Sequence, residues 1–115
     1  MEKTLPNELN ITINANGIDL ELDVPDDLLW FKGHFPERPL LPGVTQLNWV
    51  MHYSKKLLNI QAEIASIDVI KFQTPILPND RLHLNIVWDS DLRKLQFFYM
   101  VANKIASSGK LKLCP

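Results

Sequence analysis

The chain has 115 residues, of which 46% are hydrophobic and 22% charged, which is the length of one domain and the composition of a globular rather than a disordered protein. Its formal net charge of -1 excludes the excess of lysine and arginine by which proteins bind nucleic acids or anionic membranes. Cys114 is the one cysteine, so a disulfide within the chain is excluded and a reducing, cytoplasmic location is expected.

The sequence gives no indication of a second domain, a signal peptide or a membrane span. Residues 1–6 lack the apolar stretch of a signal peptide, and no apolar run approaches the ~18 residues that a membrane span needs. Repeats, low-complexity segments and linkers are also lacking. Residues 1–115 are therefore predicted to form a single domain.

The first β region is predicted to be a hairpin. Residues 11–13 and 18–24 have β character, and apolar and polar residues alternate strictly in the second segment. Residues 14–17, Asn-Ala-Asn-Gly, separate them, and asparagine and glycine tolerate the positive φ angles of a tight turn.

A proline-rich loop and a long helix follow. In residues 31–42, Pro36, Pro39 and Pro42 recur every third residue, and proline is excluded from helix interiors and central strands, so an ordered loop is expected. From Pro42, taken as the first helical residue, apolar side chains follow helical spacing to residues 58–59. The helix has a broad apolar surface, and a curved sheet is its natural cover.

Only β segments are predicted after the helix. A proline-rich turn is expected at 74–80 and a bend at 107–109, and His83 is expected to be exposed. The fold class is therefore α+β, an antiparallel sheet wrapped around one central helix. The four segments, in meander order, are 63–72, 82–88, 95–101 and 105–113.

The segment that carries chemistry lies before and at the start of the helix. It places His34 on a rigid loop next to the helix N-terminus, where free N–H groups near Gly43 and Val44 create a positive potential. Gly43 has no Cβ, so a ligand carbonyl can approach its backbone. A base beside a carbonyl-polarising helix end is what proton abstraction next to a thioester carbonyl requires.

The motif G-H-F-P-x-x-P-x-x-P-G-V at 33–44 resembles the signature of the 3-hydroxyacyl-[acyl-carrier-protein] dehydratases. The motif K-F-x-x-P-x-x-P-x-D at 71–80 resembles the next landmark of that family, and the element order matches over roughly residues 9–113. In its short length and its sequence L-L-P-G-V-T-Q-L at 40–47, the chain most resembles small dehydratases of the aryl-polyene type.

This resemblance implies a hot-dog fold and a reaction. The reaction is the dehydration of a 3-hydroxyacyl thioester to a trans-2-enoyl thioester, in fatty-acid or polyene-type lipid synthesis. An acyl carrier protein would be the partner, and no cofactor beyond its phosphopantetheine arm would be needed.

The resemblance also assigns roles to residues. His34 falls on the base that removes the α-proton, and Gly43 on the glycine whose N–H polarises the carbonyl. The usual carboxylate falls on Asn48, whose amide can only hydrogen-bond to the leaving hydroxyl or hold a water, and losing a general acid typically lowers the rate by ~10² to 10⁴. His52 shares a helix face with Asn48, and the hypothesis is that it acts as the acid or orients the amide.

The remaining expectations concern the pocket and its alternatives. The resemblance implies a pocket at the interface of a homodimer, or of a heterodimer with a homologue, so that His34 faces the Asn48 position of a partner chain. Phe35 and Val44 complete the predicted substrate-binding residues. Three histidines and one cysteine lack metal-ligand spacing, so no metal is predicted. The alternatives are a non-catalytic acyl-binding or partner subunit, a hot-dog thioesterase and a purely structural protein.

Overall fold

The computed structural model describes residues 3–28, 31 and 40–115. Most of the predicted proline loop, including residues 32–39, lies outside them. The elements in chain order are β1 (Asn7–Ile13), β2 (Gly17–Asp23), α1 (Gly43–Leu57), β3 (Ile64–Phe72), β4 (Arg81–Asp89), β5 (Lys94–Val101) and β6 (Lys104–Leu113).

The predicted hairpin is confirmed as β1 and β2. The Asn14 N–H donates to the Gly17 carbonyl oxygen at 2.9 Å and closes the turn. In β2 the apolar residues are buried and the residues between them are half-buried, as the alternation predicts. A Cβ at Gly17 would lie 2.4 Å from the carbonyl oxygen of Ile86 on β4, so only glycine allows the two strands this close an approach.

The predicted helix is confirmed, with a small correction at its start. Pro42 is the N-cap residue and α1 begins at Gly43, because Pro42 has an extended ψ of 149°. At the other end the Leu58 N–H donates to the Ser54 carbonyl oxygen, and Asn59 reverses the chain with a φ of 56°. The buried residues of α1 are Thr45, Gln46, Trp49, Val50, Met51, Tyr53 and Ser54.

The strands form one antiparallel six-stranded sheet in the order β1-β2-β4-β5-β6-β3. The predicted meander is wrong for β3, which pairs with β6 at an edge, while β4 lies between β2 and β5. The reason is the proline-rich connection after β3. Asn79 N–H donates to Val24 O, and Val24 N–H donates to Asp80 O, so the chain is delivered beside the end of β2 rather than back beside β3.

The helix packs against one face of this sheet, which is the α+β architecture of the hot-dog fold and confirms that prediction. Side chains from α1 and from the inward face of the strands form a single core and are almost completely inaccessible to solvent. Among the described residues no helix is both long and apolar enough to cross a membrane. The largest fully buried side chains are Trp49, Tyr53, Tyr99 and Phe97.

Strand β6 contains a bulge rather than the bend predicted at 107–109. The pairing with β5 shifts from Tyr99↔Ser107 to Met100↔Ile105, so Ala106 is the extra residue. The carbonyl oxygen of Ala106 accepts two N–H groups from the chain after β3, Gln73 at 2.8 Å and Thr74 at 3.0 Å. The bulge therefore holds the end of β3 in place.

His83 lies on the outer face of the sheet and is half-buried, not exposed as predicted. Its ring nitrogens contact Glu21 Oε1 at 2.7 Å and Asp19 Oδ1 at 2.9 Å, both on neighbouring β2. Burial alone would lower the pKa of His83, but the hydrogen bonds and charges of Glu21 and Asp19 outweigh it and raise the pKa. The imidazolium is thus stabilised in the folded protein.

This raised pKa predicts a pH-dependent contribution to stability. A histidine with a folded pKa above its unfolded value of about 6.5 stabilises the protein fully below that value and loses the effect as pH rises through the folded pKa. We expect the free energy of unfolding of wild type to exceed that of His83→Gln most at acidic pH. Urea denaturation across pH measures this difference. Asn85→Ala is the control, because the Asn85 amide also donates to Asp19 Oδ1 but does not titrate. A stability difference between wild type and His83→Gln that does not vary with pH would contradict this prediction.

Candidate functional site

The first turn of α1 is open to a ligand. Pro42 makes no side-chain cap hydrogen bond, and no acidic residue lies in the first turn. The backbone bond from Gln46 N–H to Pro42 O, at 3.1 Å, is the one that closes this turn. The first N–H groups of a helix have no partner within it, so this end carries a partial positive charge suited to a carbonyl or an anion.

A cavity of about 290 Å³ adjoins this turn. It lies between the start of α1 and the chain that follows β3, and most of its lining side chains are apolar. An apolar cavity with a few backbone donors suits an acyl chain whose carbonyl meets the helix end. The lining residues are Leu40, Leu41, Gly43, Gln46, Phe72, Gln73, Thr74 and Pro75.

The ring of Phe72 covers Gly43. A Cβ built on Gly43 would lie 2.5 Å from Cζ of Phe72 and 3.0–3.1 Å from the two adjoining ring carbons. The ring is 55% exposed, so it borders the cavity and is not locked in the core. Glycine at this position therefore leaves room for the aromatic wall that borders the cavity.

A buried polar contact fixes the first turn against the sheet. Gln46 Oε1 accepts a hydrogen bond from Ser107 Oγ at 2.6 Å, and Gln46 Nε2 donates to the Leu41 carbonyl oxygen at 3.2 Å. The Tyr99 hydroxyl donates to the Gln46 carbonyl oxygen at 2.7 Å. Burial raises the pKa of Tyr99, which keeps this hydroxyl protonated. The sequence interpretation missed Gln46, although its position in phase with buried Trp49 and Val50 is a signal that could have found it.

The predicted site residues of the helix divide between two surfaces. Gly43 lines the cavity, but Val44, Asn48 and His52 do not. Val44 is 66% exposed, Asn48 is exposed one turn later, and His52 is half-buried after another turn, so the three follow one face of α1. His34 and Phe35 lie outside the described residues.

His52 has an environment that disfavours its charged form. Burial and the charge of Lys56 lower the pKa of His52, and the carboxylate of Glu8 opposes them only in part. The ring also makes an edge contact with Tyr53, with 4.9 Å between the centroids. A lowered pKa leaves little imidazolium at neutral pH, so this environment supports the orienting role for His52 better than the acid role.

The groove beside His83 and the metal-ligating side chains do not add to the candidate site. A larger open groove of about 690 Å³ lies beside His83 and Arg81, but it shares no lining residue with the cavity at Gly43, and His83 is already bonded to two carboxylates. Within residues 3–28, 31 and 40–115, no group of three His, Cys, Asp or Glu side chains is placed to hold a metal ion.

Comparison with known proteins identifies the family. Residues 10–110 match the family model described as ApeI-like, ApeI dehydratase. This chain belongs to the ApeI-like dehydratase family. The resemblance predicted from the motifs at 33–44 and 71–80 is thereby confirmed, and the family match covers almost all of the chain.

Two solved structures are similar to this ApeI-like chain over nearly its whole length. A chain of the dehydratase heterocomplex ApeI:P from Xenorhabdus doucetiae is 42% identical, with a TM-score of 0.91 and coverage of 96% of this chain and 99% of that one. An uncharacterised protein from Erwinia carotovora subsp. atroseptica is 43% identical, with a TM-score of 0.86 and coverage of 96% and 97%.

A curated relative is longer. The 3-hydroxyacyl-[acyl-carrier-protein] dehydratase FabZ of Psychromonas ingrahamii is 33% identical over 81 residues, which are 63% of this chain and 54% of the relative. The ApeI-like chain therefore spans a little over half the length of that dehydratase.

The contact between Gly43 and Phe72 predicts the effect of Gly43→Ala. The added Cβ must displace the half-exposed ring, which costs little stability but fills the space in front of the helix end. We expect turnover at this site to fall by ~10²-fold with only a small change in melting temperature.

The matched control is Gly43→Ala combined with Phe72→Leu, which removes the ring atoms that the Cβ meets. This double variant should recover part of the rate when compared with Phe72→Leu alone. An unchanged rate in Gly43→Ala would show that the backbone of Gly43 is not part of the site.

Proposed function

We propose that this chain removes water from a 3-hydroxyacyl thioester and yields a trans-2-enoyl thioester. The observation that carries the proposal is the uncapped first turn of α1, which opens beside Gly43 into an apolar cavity. Such a turn polarises a thioester carbonyl and makes the neighbouring C–H acidic. Membership of the ApeI-like family and the similarity to FabZ dehydratases support the same reaction.

The proposed dehydration has two steps, removal of a proton and loss of water. His34 removes the proton from the carbon next to the carbonyl, and the electron pair moves onto the carbonyl oxygen, which the Gly43 N–H holds. The pair then forms the new C=C bond as the C–O bond to the 3-hydroxyl breaks. Asn48 of the partner subunit, proposed below, holds that hydroxyl, but an amide cannot supply a proton, so the imidazolium of His34 returns the proton and water leaves. Phe35 lines the substrate, and Val44 and His52 of the partner subunit line it from the other side, because they share the face of α1 that carries Asn48.

We further propose that a second hot-dog chain completes the site. Strand β3 lies at the edge of the sheet, and Ile67, Val69 and Phe72 on it are each more than 40% exposed. A nine-residue edge strand with exposed apolar side chains requires a cover. The partner is a second copy or a homologue, and the similar chain from Xenorhabdus doucetiae comes from a heterocomplex. The partner would also cover the face of α1 that carries Asn48.

The proposed reaction also suggests a carrier for the substrate, a class of pathway and a location in the cell. We propose an acyl carrier protein that presents the acyl group on its phosphopantetheine arm, with no further cofactor, in fatty-acid or polyene-type lipid synthesis. Relatives named for carrier-linked substrates support this carrier. We place the protein in the cytoplasm, which its single cysteine, Cys114, supports.

Mass spectrometry of a 3-hydroxyacyl thioester on a carrier protein tests the reaction directly. The wild type should remove 18 Da from the acyl group, and His34→Ala should lower the rate by ~10² to 10⁴ because the base is lost. Asn48→Asp should raise the rate, since a carboxyl group can donate the proton that the amide cannot.

Asn48 motivates one alternative function, a non-catalytic partner subunit of an active homologue, which the family match and the FabZ relatives do not favour. In that case the wild type would bind the acyl group without turnover and only Asn48→Asp would release water. A hot-dog thioesterase would instead liberate free thiol, which a thiol-reactive dye detects in the same reaction mixture.

The β3 edge can be tested with two valines of equal exposure. Val69 on β3 is 42% exposed and Val87 on central strand β4 is 43% exposed. We expect Val69→Lys to dissociate the two-chain complex, because a lysine at a pairing edge opposes strand addition, and Val87→Lys to leave it intact. Light scattering after size-exclusion chromatography measures the mass. Equal behaviour of the two variants would contradict pairing through β3.

A further inference from the structure

Gln46 is a polar side chain in a part of the core where an apolar one would be expected. Its side chain is buried with 4% exposure, between Ser107 at 1% and Tyr99 at 0%. Burying an amide lowers stability unless it is hydrogen-bonded, and an apolar residue of similar volume serves a core equally well or better. Stability alone therefore does not account for glutamine here.

The bond from Gln46 to Leu41 constrains how the chain enters α1. Leu41 precedes the N-cap and Gln46 is the fourth helical residue, and in many helices these two positions hold an apolar pair that sets the entry angle. Here a hydrogen bond of 3.2 Å from Gln46 Nε2 to Leu41 O occupies that place. The Leu41 N–H is also held, by the Ile76 carbonyl oxygen at 2.8 Å.

The held Leu41 carbonyl restricts the direction of the Gly43 N–H to rotation about a single torsion. The carbonyl lies in the planar peptide that joins Leu41 to Pro42, and the Gly43 N–H lies in the next peptide plane. Two torsions of Pro42 separate these planes. Its φ of -61° is locked by the ring, so ψ is the only soft torsion left.

The other end of the Gln46 amide reaches the opposite wall of the cavity. Ser107, which donates to Gln46 Oε1, follows the bulge residue Ala106, whose carbonyl oxygen holds the N–H groups of Gln73 and Thr74. Gln73 and Thr74 line the cavity together with Gly43. Gln46 thus connects both walls of the cavity to one bulge in β6.

We propose that Gln46 is a positioning residue. Its buried amide links Leu41 to Ser107 by two hydrogen bonds and thereby aims the Gly43 N–H at the thioester carbonyl. This inference rests on the proposed dehydration, because it gives the Gly43 N–H a carbonyl to polarise. Gln46 also lines the cavity, but its amide is bonded to Leu41 and Ser107, so its proposed effect acts through Leu41.

Substitutions of similar shape separate positioning from packing. Gln46→Met keeps the volume but loses both hydrogen bonds, so kcat should fall by ~10 to 10²-fold with little change in KM. In Gln46→Glu a neutral carboxyl can accept from Ser107 and donate to Leu41 O, whereas a carboxylate cannot donate. The kcat of Gln46→Glu should therefore approach that of wild type at acidic pH and fall as pH rises, while circular dichroism shows an unchanged fold.

Thr45→Val is the matched control on the same turn. Thr45 is fully buried, and in the described part of the chain its hydroxyl has no hydrogen-bond partner. Its variant should keep the kcat and the pH profile of wild type. If Gln46→Met keeps the wild-type kcat, or if Gln46→Glu follows the wild-type pH profile, positioning by Gln46 is overturned.

Amide hydrogen exchange measured by NMR tests the same inference without substrate. Exchange of the Leu41 N–H should become faster in Gln46→Met than in Thr45→Val, while the amides of Trp49 and Tyr53 stay protected in both. Absence of turnover in wild type with fast Leu41 exchange in Gln46→Met would reject the proposed reaction and retain the positioning. Unchanged Leu41 exchange would reject the positioning whatever the reaction.

Discussion

Buried hydrogen bonds anchor the first turn of α1 inside the sheet, and this anchoring fixes the position of the candidate site. Tyr99 and Ser107 hold Gln46 from the sheet, and Leu41 is bonded to both Gln46 and Ile76. These bonds are shielded from water, where an unmade hydrogen bond is expensive, so the turn has few alternative arrangements. A helix end fixed in this way presents its positive pole at one place in the molecule, beside the end of β3.

The local elements of this fold were predictable from the sequence, but the strand order was not. Alternation identifies β2 and helical spacing identifies α1, because burial of one face leaves a periodic pattern in the residues themselves. Periodicity contains no information on which strand is the neighbour. The place of β4 beside β2, and not beside β3, depends on backbone hydrogen bonds of Val24 with residues 79–80, which almost any residue type can make. The bulge at Ala106 was missed for the same reason, since alanine carries no turn signal.

The site was predictable to the extent that a motif marks it. The glycine and prolines at 33–44 identified Gly43 and the helix start, and the K-F-x-x-P motif marked the chain that forms the facing wall. The covering of Gly43 by the Phe72 ring and the link through Gln46 depend on contacts between residues far apart in sequence. Asn48 and His52 share a helix face as their i, i+4 spacing implies, but that face, exposed at Asn48 and half-buried at His52, is not turned to the cavity. The proposed partner chain would cover this face and the edge of β3 together.

A crystal structure with a bound acyl pantetheine thioester would show directly whether the start of α1 binds the thioester carbonyl. We expect the thioester carbonyl oxygen to lie about 3 Å from the backbone nitrogen of Gly43, with the acyl chain in the cavity bordered by Phe72. An acyl group that occupies the groove beside His83, or that lies in the cavity with its carbonyl turned away from the start of α1, would contradict it.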